Sequence, residues 1–356
     1  MDQRRPYVFL TIAAAVAFAS TAPTLVQAQD TTRAIPVAIH GFLLTTYRTA
    51  DPLVIDGFRL RKADLKFSGP VSPKLNWRLS FDAAKVLTLN KTLSEFGDSV
   101  ALSDAAIDQR TRMLQDAALT YVVYRNLTVD VGQQIIPLGL EGTYPTAQIE
   151  TIERTLFAIE RSRAVGLGDV RDIGVSANGT FASNIVEYHV GTFNETGEGA
   201  GTVDVNPQKA VVGRVAFHPL PTVQFGGSGG FQGGPTKQRR ERAGGEFQVK
   251  TNEITVRSEV MSARDGLLHR LGWYGLGAYR PTARLQFVGR YDWWDRDRTA
   301  EAILQNAVQT QVVAGASYLF DGTVGKFAVN VVRQSFPNVT TVKNATFLLA
   351  GFSGVW

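Results

Sequence analysis

The chain has 356 residues, a formal net charge of +5, no cysteine, 34 glycines, and 10% aromatic against 19% charged residues. The absent thiols exclude a disulfide scaffold and thiolate metal or redox chemistry, and they suit an exported chain. A mild positive charge without a recognisable motif makes no case for nucleic-acid binding, while the low charge content and many glycines and aromatics suit a β-rich chain.

Arg4 and Arg5 open the sequence, an apolar run follows over 7–22, and Val26-Gln27-Ala28 places small residues at the −3 and −1 positions of a cleavage point. That order predicts a secretory signal peptide over 1–28; the alternative is a retained anchor. The remaining chain, 29–356, reads as one domain. None of its windows approaches the ~18 consecutive apolar residues of a membrane-spanning helix.

Beyond the leader the sequence runs in short stretches of alternating polarity. Trp77, Leu79 and Phe81 alternate with Arg78, Ser80 and Asp82; Leu285, Phe287, Gly289, Tyr291 and Trp293 alternate with Gln286, Arg290 and Asp292. Period two gives each strand one apolar and one polar face. About sixteen such segments are predicted, at 36–47, 57–67, 74–83, 113–124, 127–135, 171–181, 184–194, 209–218, 222–232, 243–250, 253–263, 269–280, 282–294, 309–320, 324–334 and 344–356.

The connections alternate between short and long. The short ones, 68–73, Arg125-Asn126, Ala182-Ser183, 219–221, Thr251-Asn252, Pro281 and 321–323, are rich in tight-turn residues. The long ones include 84–112, 136–170, 195–208, 233–242 and 295–308. Strict alternation predicts an all-β fold: a transmembrane antiparallel barrel with short periplasmic turns and long external loops. Only a closed barrel bonds every backbone group of its strands in hydrocarbon, and about sixteen strands leave an aqueous channel. Tyr121, Tyr124, Trp273, Tyr279, Tyr291, Trp293 and Trp294 are expected in interfacial girdles. The final strand, with Phe347, Phe352 and terminal Trp356, resembles the assembly signal of bacterial outer-membrane barrels, which implies the barrel assembly machinery as a partner.

Selectivity residues are sought on the polar phases. In 58–67 the apolar phase switches between Leu60 and Ala63, predicting a bulge near Arg61 and Lys62, with Arg59 just before it. Arg78, Arg214, Arg257, Arg270, Arg284 and Arg290 also fall on polar phases; pointing inward, they would form a basic wall that hands anions along. Asp82, Asp130, Glu187, Glu259 and Asp292 share those phases, so the arginines could equally serve as wall-shaping ion pairs.

The stretch 137–170 is too long for an ordinary connection. Ile149, Ile152, Leu156 and Ile159 recur at helical spacing between Glu150, Glu153, Arg154, Arg161 and Arg163, predicting a short amphipathic helix that packs on the inner wall and narrows the lumen. An external loop covering the mouth is the alternative. Lys237, Arg239, Arg240 and Arg242 cluster in another loop, where they are either an anion-focusing entrance or a solvated charge run. The glycines of 226–234 lack a phosphate-loop lysine and read as close strand packing.

The stretch 58–69, Gly132-Gln133 through Pro137-Leu138-Gly139-Leu140-Glu141, Ile152-Glu153-Arg154, Arg171-Asp172-Ile173-Gly174-Val175 and Gly191-Thr192-Phe193-Asn194 together resemble the phosphate-selective porin O/P family. The resemblance spans most of the chain after the leader. It implies a sixteen-stranded, anion-selective homotrimer of the Gram-negative outer membrane, with an inward-folded third loop and a ladder of arginines. Lysines matter at the constriction of the family's phosphate channels; the third loop here has none, and Lys62, Lys66 and Lys85 are the stand-ins.

The expected function is therefore passive diffusion of small anions, favouring phosphate or polyphosphate. Arg59, Arg61 and Lys62, with Arg154, Arg161 and Arg163, are the expected constriction charges; Arg78, Arg214, Arg257 and Arg290 line the rest of the path. Expected partners are small anions, outer-membrane lipid, the assembly machinery and two further copies of the chain, with no cofactor or metal. The competing readings are a weakly selective porin, a plugged structural barrel and an outer-membrane hydrolase. His40, His189, His218 and His269 stand in no nucleophile motif, which counts against the last.

Overall fold

A computed structural model describes residues 36–49, 57–85, 89–96, 99–107, 113–159, 171–194, 209–232, 240–298, 308–320, 324–337 and 344–356. Inside this range the predicted alternation becomes a closed antiparallel barrel. In chain order its strands are β1 (Ala38–Thr49), β2 (Gly57–Ser72), β3 (Leu75–Asp82), β6 (Leu114–Tyr124), β7 (Leu127–Ile135), β8 (Arg171–Phe181), β9 (Val186–Phe193), β10 (Ala210–Leu220), β11 (Val223–Gln232), β12 (Arg240–Lys250), β13 (Ile254–Asp265), β14 (Leu268–Tyr279), β15 (Leu285–Asp295), β16 (Val308–Phe320), β17 (Gly325–Ser335) and β18 (Ala345–Val355). Each strand pairs with its neighbours in chain order, and β18 closes on β1. At that seam the Gly41 N–H donates to the Trp356 carbonyl at 2.9 Å and the Trp356 N–H returns to Gly41 at 3.1 Å, so the terminal aromatic residue completes the cylinder. Every predicted segment overlaps one barrel strand.

Burial is inverted relative to a soluble protein. On β16, Val312 is 48% exposed while its neighbour Val313 is 3% exposed. Val211, Val215, Phe225 and Val331 face outward, whereas Arg214, Arg257, Arg290 and Asp292 are buried inside. An apolar exterior and a charged interior are what a lipid-embedded, water-lined barrel requires.

Four expectations need correction. The connection between β13 and β14 is only Gly266-Leu267, because these strands stay paired out to Asp265 and Leu268, so the short–long alternation fails once. The stretch 84–112 is not a plain loop: it carries the hairpin β4 (Leu89–Phe96) and β5 (Ser99–Ile107), paired with each other and outside the barrel sheet. Trp294 is no girdle residue; it is fully buried in the lumen, since the strand period sends it opposite to Trp293. Arg284 lies exposed in the turn before β15, off the strand.

The predicted bulge is present. Leu44 pairs with Lys62 and Thr45 with Leu60, so Arg61 is the extra residue of β2. Phe58 and Leu60 face outward before it and Leu65 after it, while Lys62 and Asp64 are buried inward. On β7, Gly132 has φ 128°, and a Cβ there would collide with the Ala117 carbonyl oxygen.

Candidate permeation site

The connection after β7 turns into the barrel. Its entry is set by Gly139, whose φ of 73° suits glycine and whose missing Cβ leaves space for the Glu259 carboxylate. That carboxylate, on β13, accepts from the Leu140 N–H at 3.1 Å and the Glu141 N–H at 2.8 Å, and the Gly139 N–H donates to Ser228 Oγ at 2.8 Å. A single turn, α1 (Leu140–Thr143), is thereby docked on the wall. A 3-10 turn (Thr146–Gln148), extended backbone and a second single turn, α2 (Leu156–Ile159), follow.

The amphipathic helix expected across Ile149–Ile159 is thus absent, although its apolar residues are buried where described. The wall, not an i→i−4 ladder, satisfies this backbone. Asn330 Oδ1 accepts from the Ile152 N–H at 2.8 Å, Lys326 Nζ donates to the Ile149 carbonyl at 2.7 Å, and Arg290 donates to the carbonyls of Glu153 and Arg154 at 2.7 and 3.0 Å. Ile152 packs on Ala328 and Leu349, and Phe157 packs beside Tyr274 and Trp294 with ring centroids 6.0 and 6.4 Å away. Apolar spacing of three and four residues here reflects contact with two different stretches of wall.

The extended piece divides two spaces. On the short-turn side, a cavity of about 680 Å³ is bordered by Ile149 and Glu150 and by turn residues such as Asn252, Glu253 and Thr282. On the long-loop side, a cavity of about 400 Å³ is bordered by Thr151, Glu153 and Arg154 and by the wall arginines Arg48, Arg59, Arg61, Arg290 and Arg296. By the usual orientation of such barrels the first opens toward the periplasm and the second toward the exterior.

The sequence-predicted residues divide by partner. Arg61 reaches across the external cavity to Glu153 in a bidentate pair at 2.9 and 3.0 Å. Arg59 lines the same cavity and has no ion-pair partner among the described residues. Lys62 is buried and pairs with Asp64 at 3.3 Å. Arg154 is turned into its own loop, donating to the Glu141 carbonyl, to the Tyr144 carbonyl at 2.7 Å and to Thr146 Oγ1 at 3.1 Å. Arg290 also pairs with Asp292 at 2.9 Å. Arg257 binds Glu150 at 3.0 Å, stands 3.6 Å from Glu141 and stacks 3.9 Å over the Tyr144 ring.

Elsewhere on the wall, Arg78 pairs with Asp130 at 3.1 Å, and Arg214 binds Glu246 at 2.5 Å and Glu187 at 3.2 Å. Arg242 and Arg270 converge on Asp265 at 2.8 and 2.6 Å. Lys66 is exposed on β2. Arg161, Arg163, Lys237 and Arg239 lie outside the described residues.

Two chamber arginines escaped the sequence reading. Arg48 lies one residue beyond the first predicted segment, on the phase of Leu44 and Thr46, and Arg296 directly follows β15. Extending each alternation by one period would have found Arg48. The loop anchors Ser228, Lys326 and Asn330 carried no signal, because their partners are distant in sequence. His189 stands 3.0 Å from Ser176 Oγ, but the adjacent Asp130 is engaged by Arg78, Thr120 and Asn178, so this group reads as wall structure.

The barrel resembles solved porins. The outer membrane channel DcaP of Acinetobacter baumannii matches with a TM-score of 0.57 and 12% identity, covering 90% of this chain and 97% of that one. OmpF of Salmonella typhi, solved with daunomycin, gives 0.60 and 11% over 90% and 98%; OmpT of Vibrio cholerae, in its trimer form, gives 0.56 and 12% over 90% and 99%. At such identities the likeness shows the fold. No curated relative matches the sequence. The family described as phosphate-selective porin O and P matches residues 51–229, half of the chain, and with the closed barrel and its inward third loop this places the protein in that family, as an outer-membrane channel.

Proposed function

We propose that this channel passes small anions by passive diffusion and prefers them to cations. One observation carries the reading: of the six arginines that line the external cavity, Arg48, Arg59, Arg61, Arg154, Arg290 and Arg296, two, Arg48 and Arg59, have no ion-pair partner among the described residues, and Glu153 is the carboxylate among the described lining residues. Guanidinium groups stay charged at any physiological pH, and a low-dielectric cleft lined by one sign of charge concentrates the opposite ion. Phosphate, the solute in the family's description, is the first candidate to titrate, with polyphosphate next. Export by a leader ending at Ala28, insertion by the barrel assembly machinery and a homotrimeric state belong to the same reading; the Vibrio cholerae OmpT trimer supports the last.

The test is single-channel current in planar bilayers under a potassium chloride gradient. A reversal potential on the anion side supports the proposal, and block by added phosphate extends it to phosphate binding. Anion selectivity without block leaves a general anion porin. A cation-side reversal overturns the reading, and an absence of conductance steps brings back the plugged barrel.

A further inference from the structure

The inward phase of an aqueous barrel is normally polar, because its side chains face water. On β16–β18 an apolar patch interrupts it, between Gln311 and Gln334 on one side and Asn330 on the other. Val313, Val332 and Phe347 form an apolar cluster, at 3, 4 and 9% exposure, and the register places Val313 opposite Val332 and Val332 opposite Phe347. Leu349, next on the inward phase of β18, continues the strip and is paired in register with Arg48 of β1. The external cavity therefore has a hydrocarbon strip three strands wide, bordered by the guanidinium groups of β1 and β2.

The chemistry of that border is specific. The Arg48 guanidinium stacks 3.8 Å over the Phe347 ring, and its Nε is buried without a hydrogen-bond partner. Arg59, whose register neighbour on β1 is Thr46, borders the same space without an ion-pair partner among the described residues. The cavity, about 400 Å³, is lined mostly by polar and charged side chains, and this apolar patch faces the guanidinium groups across it, so one solute can meet both kinds of surface. An inorganic oxyanion seeks donors on every side and gains nothing from a hydrocarbon wall. A solute with a carboxylate at one end and an apolar body at the other gains from both surfaces.

We propose that the external cavity binds aryl carboxylates of about benzoate size, with Arg48 and Arg59 holding the carboxylate and Val313, Val332, Phe347 and Leu349 covering the ring. The inference rests on the anion-channel reading and names its solute class.

The test uses the full-length chain in planar bilayers, with sodium benzoate, acetate and inorganic phosphate as competing probes of the chloride current. Benzoate is expected to half-block the current at a concentration about tenfold below acetate, equivalent to about 1.4 kcal/mol, and below phosphate as well. In Phe347→Ala and in the gentler Val332→Thr, the benzoate-to-acetate ratio is expected to fall toward one, with acetate in the same channel as the reference. Should Phe347→Ala fail to assemble, Val332→Thr decides. Equal block by benzoate and acetate in the unaltered channel, or tighter block by phosphate, overturns the solute class while leaving an anion-side reversal potential standing. A cation-side reversal removes the anion reading itself and this inference with it.

Discussion

Replacing Arg290 by methionine tests whether the third loop is a pinned partition. The side chain is 4% exposed and donates to Thr151 Oγ1 and the Glu153 carbonyl at 2.7 Å each and to the Arg154 carbonyl at 3.0 Å, while its Nε faces Asp292 at 2.9 Å. Methionine keeps the stem and removes every donor. Orphaned buried acceptors cost about 1–3 kcal/mol each, and breaking a buried ion pair costs about 3–5 kcal/mol. These costs share one guanidinium and do not simply add, so the extended segment loses about 3–5 kcal/mol of anchoring. At ~1.4 kcal/mol per factor of ten, the balance between pinned and released loop shifts by about two to three and a half orders of magnitude. Glu259, Lys326 and Asn330 still hold the flanks, so the change is local. Single-channel recording is expected to show larger open-channel noise and added conductance levels. Arg290→Met combined with Asp292→Leu removes the orphaned charge and is expected to restore barrel yield without restoring quiet current. A quiet channel of unaltered conductance in Arg290→Met would refute the pinning argument.

Two further predictions follow from the strands. Arg61→Glu reverses a charge in the external cavity and sets the new carboxylate against Glu153, so the anion-to-cation permeability ratio is expected to fall; an unchanged ratio would sink the role given to Arg61. Gly132→Ala forces a side chain into φ 128° and against the Ala117 carbonyl oxygen, and is expected to destabilise the barrel by more than about 1–2 kcal/mol. Electrophoretic mobility of unheated against heated protein reads the folded fraction, and a wild-type fraction at all temperatures would count against it.

The barrel was legible because strand alternation is local: the two faces of β14 or β16 are written in consecutive residues. The bulge at Arg61 was legible for the same reason, since one inserted residue flips the apolar phase. The loop was not. Ile149, Ile152 and Leu156 carry a helical spacing, yet the groups that fix their backbone, Asn330, Lys326 and Arg290, come from strands more than a hundred residues away, and no local pattern announces them. Trp294 is the instructive case. A pair of adjacent tryptophans on one strand cannot both face lipid, so the alternation already required one of them inside, where Phe157 of the loop meets it.

The lumen arginines do two different jobs, and counting them together overstates the field. Arg214 between Glu246 and Glu187, Arg257 between Glu150 and Glu141, and Arg290 against Asp292 are buried charges beside opposite charges, so their potential decays as that of a dipole. Their geometry, a planar fork reaching several acceptors at once, is what holds the partition, and lysine would not reproduce it. A long-range pull on anions, as proposed, would come instead from charge left uncompensated, and among the described residues Arg48 and Arg59 have no carboxylate within ion-pair distance. Both stand on the external side of the partition. On the proposed anion reading, attraction would be strongest before the narrow passage, raising local anion concentration on the external side of the partition. A diffusion channel works under one constraint, since a solute held too tightly at the narrowest point would not leave.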